Sequence, residues 1–268
     1  VKDIEESDNR CGGFTMMTIQ KCVDTLRSAK QISILTGAGV SKESGIPTFR
    51  DALDGLWARF DPRQLATPQA FQKDPKLVWD FYEYRRALMR PAEPNAGHFA
   101  LAALQRRFPT LRIITQNVDD LHERAGSDDV IRLHGNIARN KCSADCQGSP
   151  TRVDVSQLTW DKASGPPPCP YCGRLVRPDV VWFGEMLPRD ELDRALDLAR
   201  RSDVMLVVGT SGMVSPSAEM PYLVKDHGGV VIEVNPETTP ITRIATLHLQ
   251  GASGVVLPEV VAALDTAQ

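Results

Sequence analysis

Four short runs constrain the architecture before any single residue suggests chemistry: "QISILTG", "LRIITQN", "DVMLVVGTS" and "GVVIEVN". Each is a β-branched apolar stretch closed by small or polar residues; a helical pattern at about Ile19–Lys30 precedes the first, and others lie between them at Asn117–Ala125, Arg189–Arg201 and Ala218–Asp226. Runs that are apolar at nearly every position predict strands buried on both faces, and strands alternating with helices predict a parallel sheet covered on both sides. In such sheets ligands sit beyond the carboxyl ends of the strands. Gly37–Gly39, Gln116–Asp119, Gly209–Ser211 and Asn235 therefore mark where chemistry is expected.

At 268 residues the chain is long enough for one large domain or a domain carrying an inserted lobe. Two stretches break the alternation: Asp51 to about Asn95, helical and tryptophan-bearing, and Asn140 to Arg177, rich in Cys, Pro and Gly. Both read as insertions that build a smaller lobe. A net charge of −3 gives no general attraction to nucleic acid or to an anionic membrane, and no apolar run approaches spanning length. The opening "VKDIEESDNR", with four acidic and two basic side chains, suits neither a secretory signal nor an Arg-rich transit peptide. A cytoplasmic protein is expected, with residues 1–16 as a tail.

Four of the six cysteines form two close pairs, Cys142 with Cys146 in "CSADC" and Cys169 with Cys172 in "CPYC". Two such pairs separated by a loop have the layout of a four-thiolate zinc site; disulfides or a redox CxxC are the alternative, disfavoured by a reducing compartment and by the second pair. Four protein ligands leave no open position, so the metal is expected to be structural. A nucleic-acid-reading ribbon would carry clustered basic residues, which Asp145, Asp154 and Asp161 dilute here. Cys11 and Cys22 have no partner in sequence.

"TGAGVSKESGIPTFRD" follows the first strand and is expected to cradle a phosphate on backbone N–H groups at a helix start. It is not the dehydrogenase fingerprint, because Lys42 stands where that pattern requires Gly or Ala. A tight turn without ligand is the plainer alternative. The continuation through Gly45, Ile46, Pro47, Thr48, Phe49 and Arg50 adds a rigid proline, an aromatic ring and a cation beyond the turn.

With "TQNVDDLH", "LHG", the two cysteine pairs, "VVWFGE", "GTS" and "EVN" following in order, the chain from about Lys30 to Leu257 resembles the sirtuins, NAD-dependent protein deacylases. The resemblance implies a Rossmann-like parallel sheet with helices on both faces and a smaller zinc-ribbon and helical lobe. Residues 17–50, 96–138 and 179–268 would form the NAD-binding domain, 51–95 a helical module with the acyl pocket, and 139–178 the zinc module. NAD and zinc are the implied cofactors, and acyl-lysine proteins or peptides the implied partners. A monomer that binds neither nucleic acid nor membrane is expected.

Residue by residue, the resemblance implies that Gly37, Ala38, Gly39, Ser41, Phe49, Arg50 and Trp57 contact or close over NAD. Gln116, Asn117, Val118 and Asp119 would line its nicotinamide and ribose pocket, with Asn117 also assisting the reaction. Gly209, Thr210, Ser211, Asn235, Pro236, Glu237 and Ser253 would hold the adenosine half. His134 in "RLHGN" would be the general base, since a histidine is partly neutral near pH 7. Val181, Phe183, Gly184, Glu185, Met213 and Val214 would pair with an extended peptide.

One helix raises a finer question. If Lys76–Arg90 is helical, then Val78, Tyr82, Arg85 and Met89 form one stripe, and an arginine interrupts what should be apolar. An arginine there can bury its stem and snorkel. Within the sirtuins, however, a Tyr-x-x-Arg pair resembles the class that prefers succinyl, malonyl and glutaryl groups, and Ala66 matches the small residue that widens the pocket. On that view the stripe is a pocket wall. Two other functions share these motifs: a mono-ADP-ribosyltransferase using the same NAD site, and an NAD-sensing zinc-ribbon binding module.

Overall fold

The computed structural model describes residues 16–47 and 61–266. The chain runs through α1 (Met16–Ser28), β1 (Ile32–Thr36), α2 (Gly39–Lys42), α3 (Pro62–Leu65), α4 (Pro68–Lys73), α5 (Pro75–Met89) and α6 (Ala96–Arg107). It continues with β2 (Arg112–Thr115), α7 (Leu121–Arg124), β3 (Ile131–Arg132), β4 (Gly135–Cys142), β5 (Val176–Val180), α8 (Arg189–Arg201) and β6 (Val204–Val208). The last elements are α9 (Met220–Asp226), β7 (Val230–Val234), β8 (Leu247–Leu249) and α10 (Ser253–Thr266).

Six strands form one parallel sheet in the order β3-β2-β1-β6-β7-β8. All five residues of β1 and of β6 are buried, which is why these runs are apolar without alternation. Helices α1, α6 and α10 cover one face, through Leu26, Leu101, Leu104 and Val260. On the other face α8 and α9 pack Leu198, Ala199 and Val224 onto Leu35, Met205 and Val207. Strand order reverses between β1 and β6, so the crevice beyond Thr36 and Val208 is the sheet's crossover point.

The elements depart from the sequence reading in two places. The edge strands β3 and β8 were not anticipated, because two and three residues are too few to show a period. Helix is present only at Leu121–Arg124 within the stretch expected to be helical from Asn117 to Ala125. The Leu121 amide donates to Asp119 Oδ1 at 3.1 Å, a local side-chain bond that competes with helix over residues 117–119. β5 ends at Val180, the first residue of "VVWFGE", and Gly184 in the turn that follows has a φ of +87°.

The two sequence insertions share their packing. In one apolar cluster Phe71, Val78, Phe81 and Tyr82 from α4 and α5 meet Ile137, Val180 and Trp182. In another, Trp79 of α5 packs with Cys142, Val153, Cys169 and Val176. Arg86 ties α5 to β4, donating to the carbonyls of Ile137 and Arg139 and to Asn140 Oδ1. Asp74 caps α5 by accepting from the Leu77 amide. No helix among the described residues is long and apolar enough to cross a membrane.

Candidate active site

The turns after β1 and β6 meet at the crossover. Gly37 N–H donates to Val208 O at 3.1 Å and Gly39 N–H to Gly209 O at 2.8 Å. A Cβ at Gly39 would lie 2.6 Å from Gly209 O, and one at Gly37 would lie 2.7 Å from Thr210 Cβ. These glycines are therefore required for the close approach of two chain segments. The amides of Val40 and Ser41 bond back to the carbonyls of Gly37 and Ala38. These four amides are bonded within the fold.

Beside the turn lies a buried polar cluster. Ser41 Oγ donates to Asp119 Oδ2 at 2.9 Å and accepts from Asn117 Nδ2 at 3.1 Å, so three residues expected at one site do converge. Burial pushes the Asp119 carboxyl above its ordinary range, opposed by the Leu121 amide and the Ser41 hydroxyl. Arg132, itself largely buried, braces the segment by donating to Asp119 O at 2.7 Å while its fork grips Glu123. Gln116 Nε2 donates to Thr210 Oγ1 at 2.9 Å, and Asn235 Nδ2 to Thr210 O at 2.8 Å. Three strand ends are thereby linked. Pro236 and Glu237 follow Asn235 as exposed residues, and Ser211 is half-buried. Ser253 Oγ donates to Glu43 Oε2 at 3.3 Å, an internal bond not anticipated from sequence.

Two histidines support the cluster from behind. Asn95 and His98 form a capping box at the start of α6, with the Asn95 amide donating to His98 Nδ1 and His98 Nε2 reaching 3.5 Å from Ser41 Oγ. His122 Nε2 meets the Thr36 hydroxyl at 3.0 Å, and the two rings pack edge to face with centroids 5.0 Å apart. Burial lowers His98 to about 4 and His122 to about 3. Both are thus neutral in the native protein but take up protons in the unfolded chain below their ordinary value of about 6.5. The unfolded state then binds more protons, so their contribution is fully present above about pH 6.5 and is lost as pH falls toward the depressed folded values. Thermal melting between about pH 6.5 and pH 5, above the carboxylate range, should show Tm falling with pH. The slope should be shallower in His122→Asn; an unchanged slope would exclude this pair as the source.

His134 is held between β3 and β4. Gln116 O lies 2.8 Å from its Nδ1, and because a carbonyl only accepts, Nδ1 carries the hydrogen and Nε2 keeps its lone pair. Burial lowers its pKa, with the Gln116 bond opposing. The next residue, Gly135, has a φ of +81°, and a Cβ there would lie 2.2 Å from Asp179 O. On the other side His134 O accepts from the Val181 amide at 3.0 Å, which joins the histidine to the start of the 181–185 turn.

In that turn Phe183 and Gly184 are exposed, and the Phe183 amide donates to Ala66 O at 2.9 Å. Glu185 is not available as a side chain, since both its oxygens are held by Arg177. Met213 and Val214 are exposed at 68% and 39%, an apolar edge on the loop after β6. On α5, Val78 and Tyr82 are fully buried while Arg85 and Met89 are half-buried. The stripe is therefore core at its start and opens only at Arg85, a correction to its reading as a pocket wall throughout. Arg85 sits against Tyr82, its Cζ 5.9 Å from the ring centre. Ala66 and Val118 adjoin the same apolar cluster. Phe49, Arg50 and Trp57 lie outside the described residues.

The four cysteines converge. Their Sγ atoms lie within 4.8 Å of one another, with Cys142 to Cys172 at 3.5 Å and Cys146 to Cys169 at 3.9 Å. These separations are far from a disulfide bond of about 2.05 Å and close to the edge of about 3.8 Å expected for a zinc tetrahedron with Zn–S bonds of about 2.3 Å. The donor set fits zinc.

Sequence reading missed Arg132, Arg177 and Trp182, while His98, expected to be packed or capping in its helix, does cap it. The three missed residues act through tertiary hydrogen bonds or ring contacts and carry no local pattern.

A parallel sheet whose glycine turns meet at the crossover, with a polar cluster and an oriented histidine beyond it, defines a nucleotide-binding α/β protein bearing a four-thiolate lobe. Comparison with known proteins sharpens this class. Residues 37–216 match the Sir2 family. The NAD-dependent protein deacylase of Pyrococcus furiosus is 53% identical over 226 residues, covering 84% of this chain and 90% of that protein. A solved Sir2 homologue in complex with NAD has a TM-score of 0.85 at 46% identity, covering 96% of this chain and 97% of the other. A Sir2 structure with a p53 peptide and NAD has a TM-score of 0.81 at 33% identity, covering 93% and 99%. The chain belongs to the Sir2 family.

Proposed function

We propose that this protein is an NAD-dependent protein-lysine deacylase that prefers acidic acyl groups, succinyl, malonyl or glutaryl, and removes acetyl more slowly. When bound, NAD supplies the ADP-ribose that receives the acyl group as nicotinamide leaves. The residues at the crossover fit that cofactor: Gly37 and Gly39 leave no side-chain bulk, and Ser41, Gln116, Asn117 and Asp119 present polar groups beside them. Ala38, Val118, Phe49, Arg50 and Trp57 would complete its ribose side, and Gly209, Thr210, Ser211, Asn235, Pro236, Glu237 and Ser253 would hold the adenosine half.

His134 Nε2 is the general base in this reading. With Nδ1–H given to Gln116 O, the ring is held in the tautomer that accepts at Nε2, and its depressed pKa keeps it neutral at physiological pH. It would take the proton of a ribose hydroxyl, with Asn117 orienting the reactants. The acyl-lysine peptide would lie extended between residues 181–185 and Met213–Val214. The amides of Val181, Phe183 and Glu185 are bonded within the fold, so pairing would draw on the Gly184 amide and on carbonyls. Zinc at Cys142, Cys146, Cys169 and Cys172 would be structural, since four protein ligands leave no position for a reactant.

The observation that carries the acyl preference is Arg85, half-buried beside the buried Tyr82 phenol at the edge of an apolar cluster. A guanidinium desolvated in that way is stabilised most by a carboxylate, which it can bind through two parallel N–H bonds. Arg85→Met assayed with NAD on succinyl- and acetyl-lysine peptides is the test. Desuccinylation should fall more than deacetylation by about 1–3 kcal/mol of transition-state free energy. Equal losses on the two peptides would make Arg85 a structural residue, and absence of nicotinamide release with every acyl peptide would leave only NAD binding.

A further inference from the structure

The groups around Tyr82 bear on the direction of its hydroxyl hydrogen. The indole Nε1–H of Trp182 donates to the phenol oxygen at 2.9 Å, and an indole nitrogen has no acceptor capacity. On that side the phenol oxygen must accept. The Arg85 guanidinium, also a donor only, lies against the same phenol. The oxygen thus faces an N–H and a cation, and among the described residues none accepts from its hydroxyl. A buried hydroxyl in that position turns its hydrogen away from both groups and finds no acceptor among the described residues, a situation an incoming anion relieves.

Trp182 is itself fixed. The Arg177 guanidinium is stacked 3.2 Å from the indole ring centre, and Phe71 packs against the indole with ring centroids 5.2 Å apart. Glu185 Oε2 accepts from the Trp182 amide at 2.8 Å, while Arg177 holds both Glu185 oxygens. The Arg177 side chain is only 5% exposed, so this clamp is shielded from solvent.

We propose that Trp182 is a positioning residue for acyl specificity: its indole N–H, aimed by Arg177 and Glu185, commits the Tyr82 hydroxyl to donate to a carboxylate held at Arg85. The proposal rests on the acidic-acyl reading above. Arg85 then supplies the charge and Tyr82 the directed neutral donor, and the tail of an acetyl group, having no acceptor, is indifferent to the arrangement.

The experiment is a double-mutant cycle of Trp182→Phe and Tyr82→Phe, with KM and kcat for succinyl- and acetyl-lysine peptides. Trp182→Phe should raise KM for the succinyl peptide about five- to tenfold, change kcat little and shift the acetyl constants far less. In the Tyr82→Phe background the same substitution should have almost no further effect on the succinyl KM. A wild-type protein without succinyl preference overturns the acidic-acyl reading and this role with it. If the preference is present, equal losses on both peptides, or an undiminished effect in the Tyr82→Phe background, overturn the role of Trp182 alone. Should thermal melting show that Trp182→Phe is unfolded, replacement of Trp182 by benzothienylalanine keeps the bicyclic volume, removes the N–H and gives the same readout.

Discussion

His134→Tyr is expected to fold, to retain NAD binding and to lose turnover by about 10²–10⁴-fold, the range for removal of a general base. The argument rests on one proton. Gln116 O fixes the hydrogen on Nδ1, so the catalytic capacity resides at Nε2, and a phenol protonated to about pH 10 cannot replace it. The same geometry predicts the pH dependence. Because burial lowers the His134 pKa, the base stays neutral below the ordinary histidine value, and the acid limb of kcat should lie under about pH 6.5. Near-normal turnover in the variant, with nicotinamide release measured on a saturating acyl peptide, would remove His134 from the mechanism. An acid limb well above 6.5 would show that His134 is not the group it reports.

The second large effect concerns the metal. Cys169→Ser should leave the purified protein with far less than one zinc per chain by atomic emission and should lower its Tm sharply. Structural zinc binding is worth on the order of 10 kcal/mol in small thiolate sites, and a hydroxyl is a poor substitute for thiolate. Cys142 and Cys169 are also buried beside Trp79, Val153 and Val176, so loss of the ion would loosen this apolar cluster as well. A variant that retains full zinc and wild-type melting would exclude Cys169 as a ligand. Cys22 offers the control. It is fully buried in the main core, and burial pushes its thiol to about 12, so Cys22→Ala should leave zinc content unchanged.

The architecture was legible wherever burial on both faces forces a continuous apolar run. β1, β2, β6 and β7 could be read for that reason, and α8 was placed at its observed limits. β3 and β8 could not, because each is a short rim held by its neighbour's ladder rather than by its own composition. The cysteine spacing carried the four-thiolate cluster, and the i, i+3 spacing of Tyr82 and Arg85 carried their proximity. What spacing cannot encode is orientation across the fold. Trp182 is 100 residues from Tyr82, His98 meets Ser41 through a helix cap, and the amides of Gly37 and Gly39 are given to the carbonyls of Val208 and Gly209. Motifs located the residues that gather at the crossover, while tertiary hydrogen bonds decided which of their atoms are already engaged.

The double allegiance of α5 has a consequence for how the chain assembles. Tyr82 and Trp79 are near neighbours on one helix, yet each is completed by partners that emerge from the ribosome much later, Tyr82 by Val180 and Trp182 and Trp79 by the cysteine cluster. Helices form in microseconds from local contacts, but such long-range closures come last. During synthesis α5 must therefore wait with both apolar faces uncovered. Helix α5 thus gains its final packing only once β5 and the four-cysteine lobe have formed, so a metal that orders that lobe also fixes a helix that precedes it in the chain.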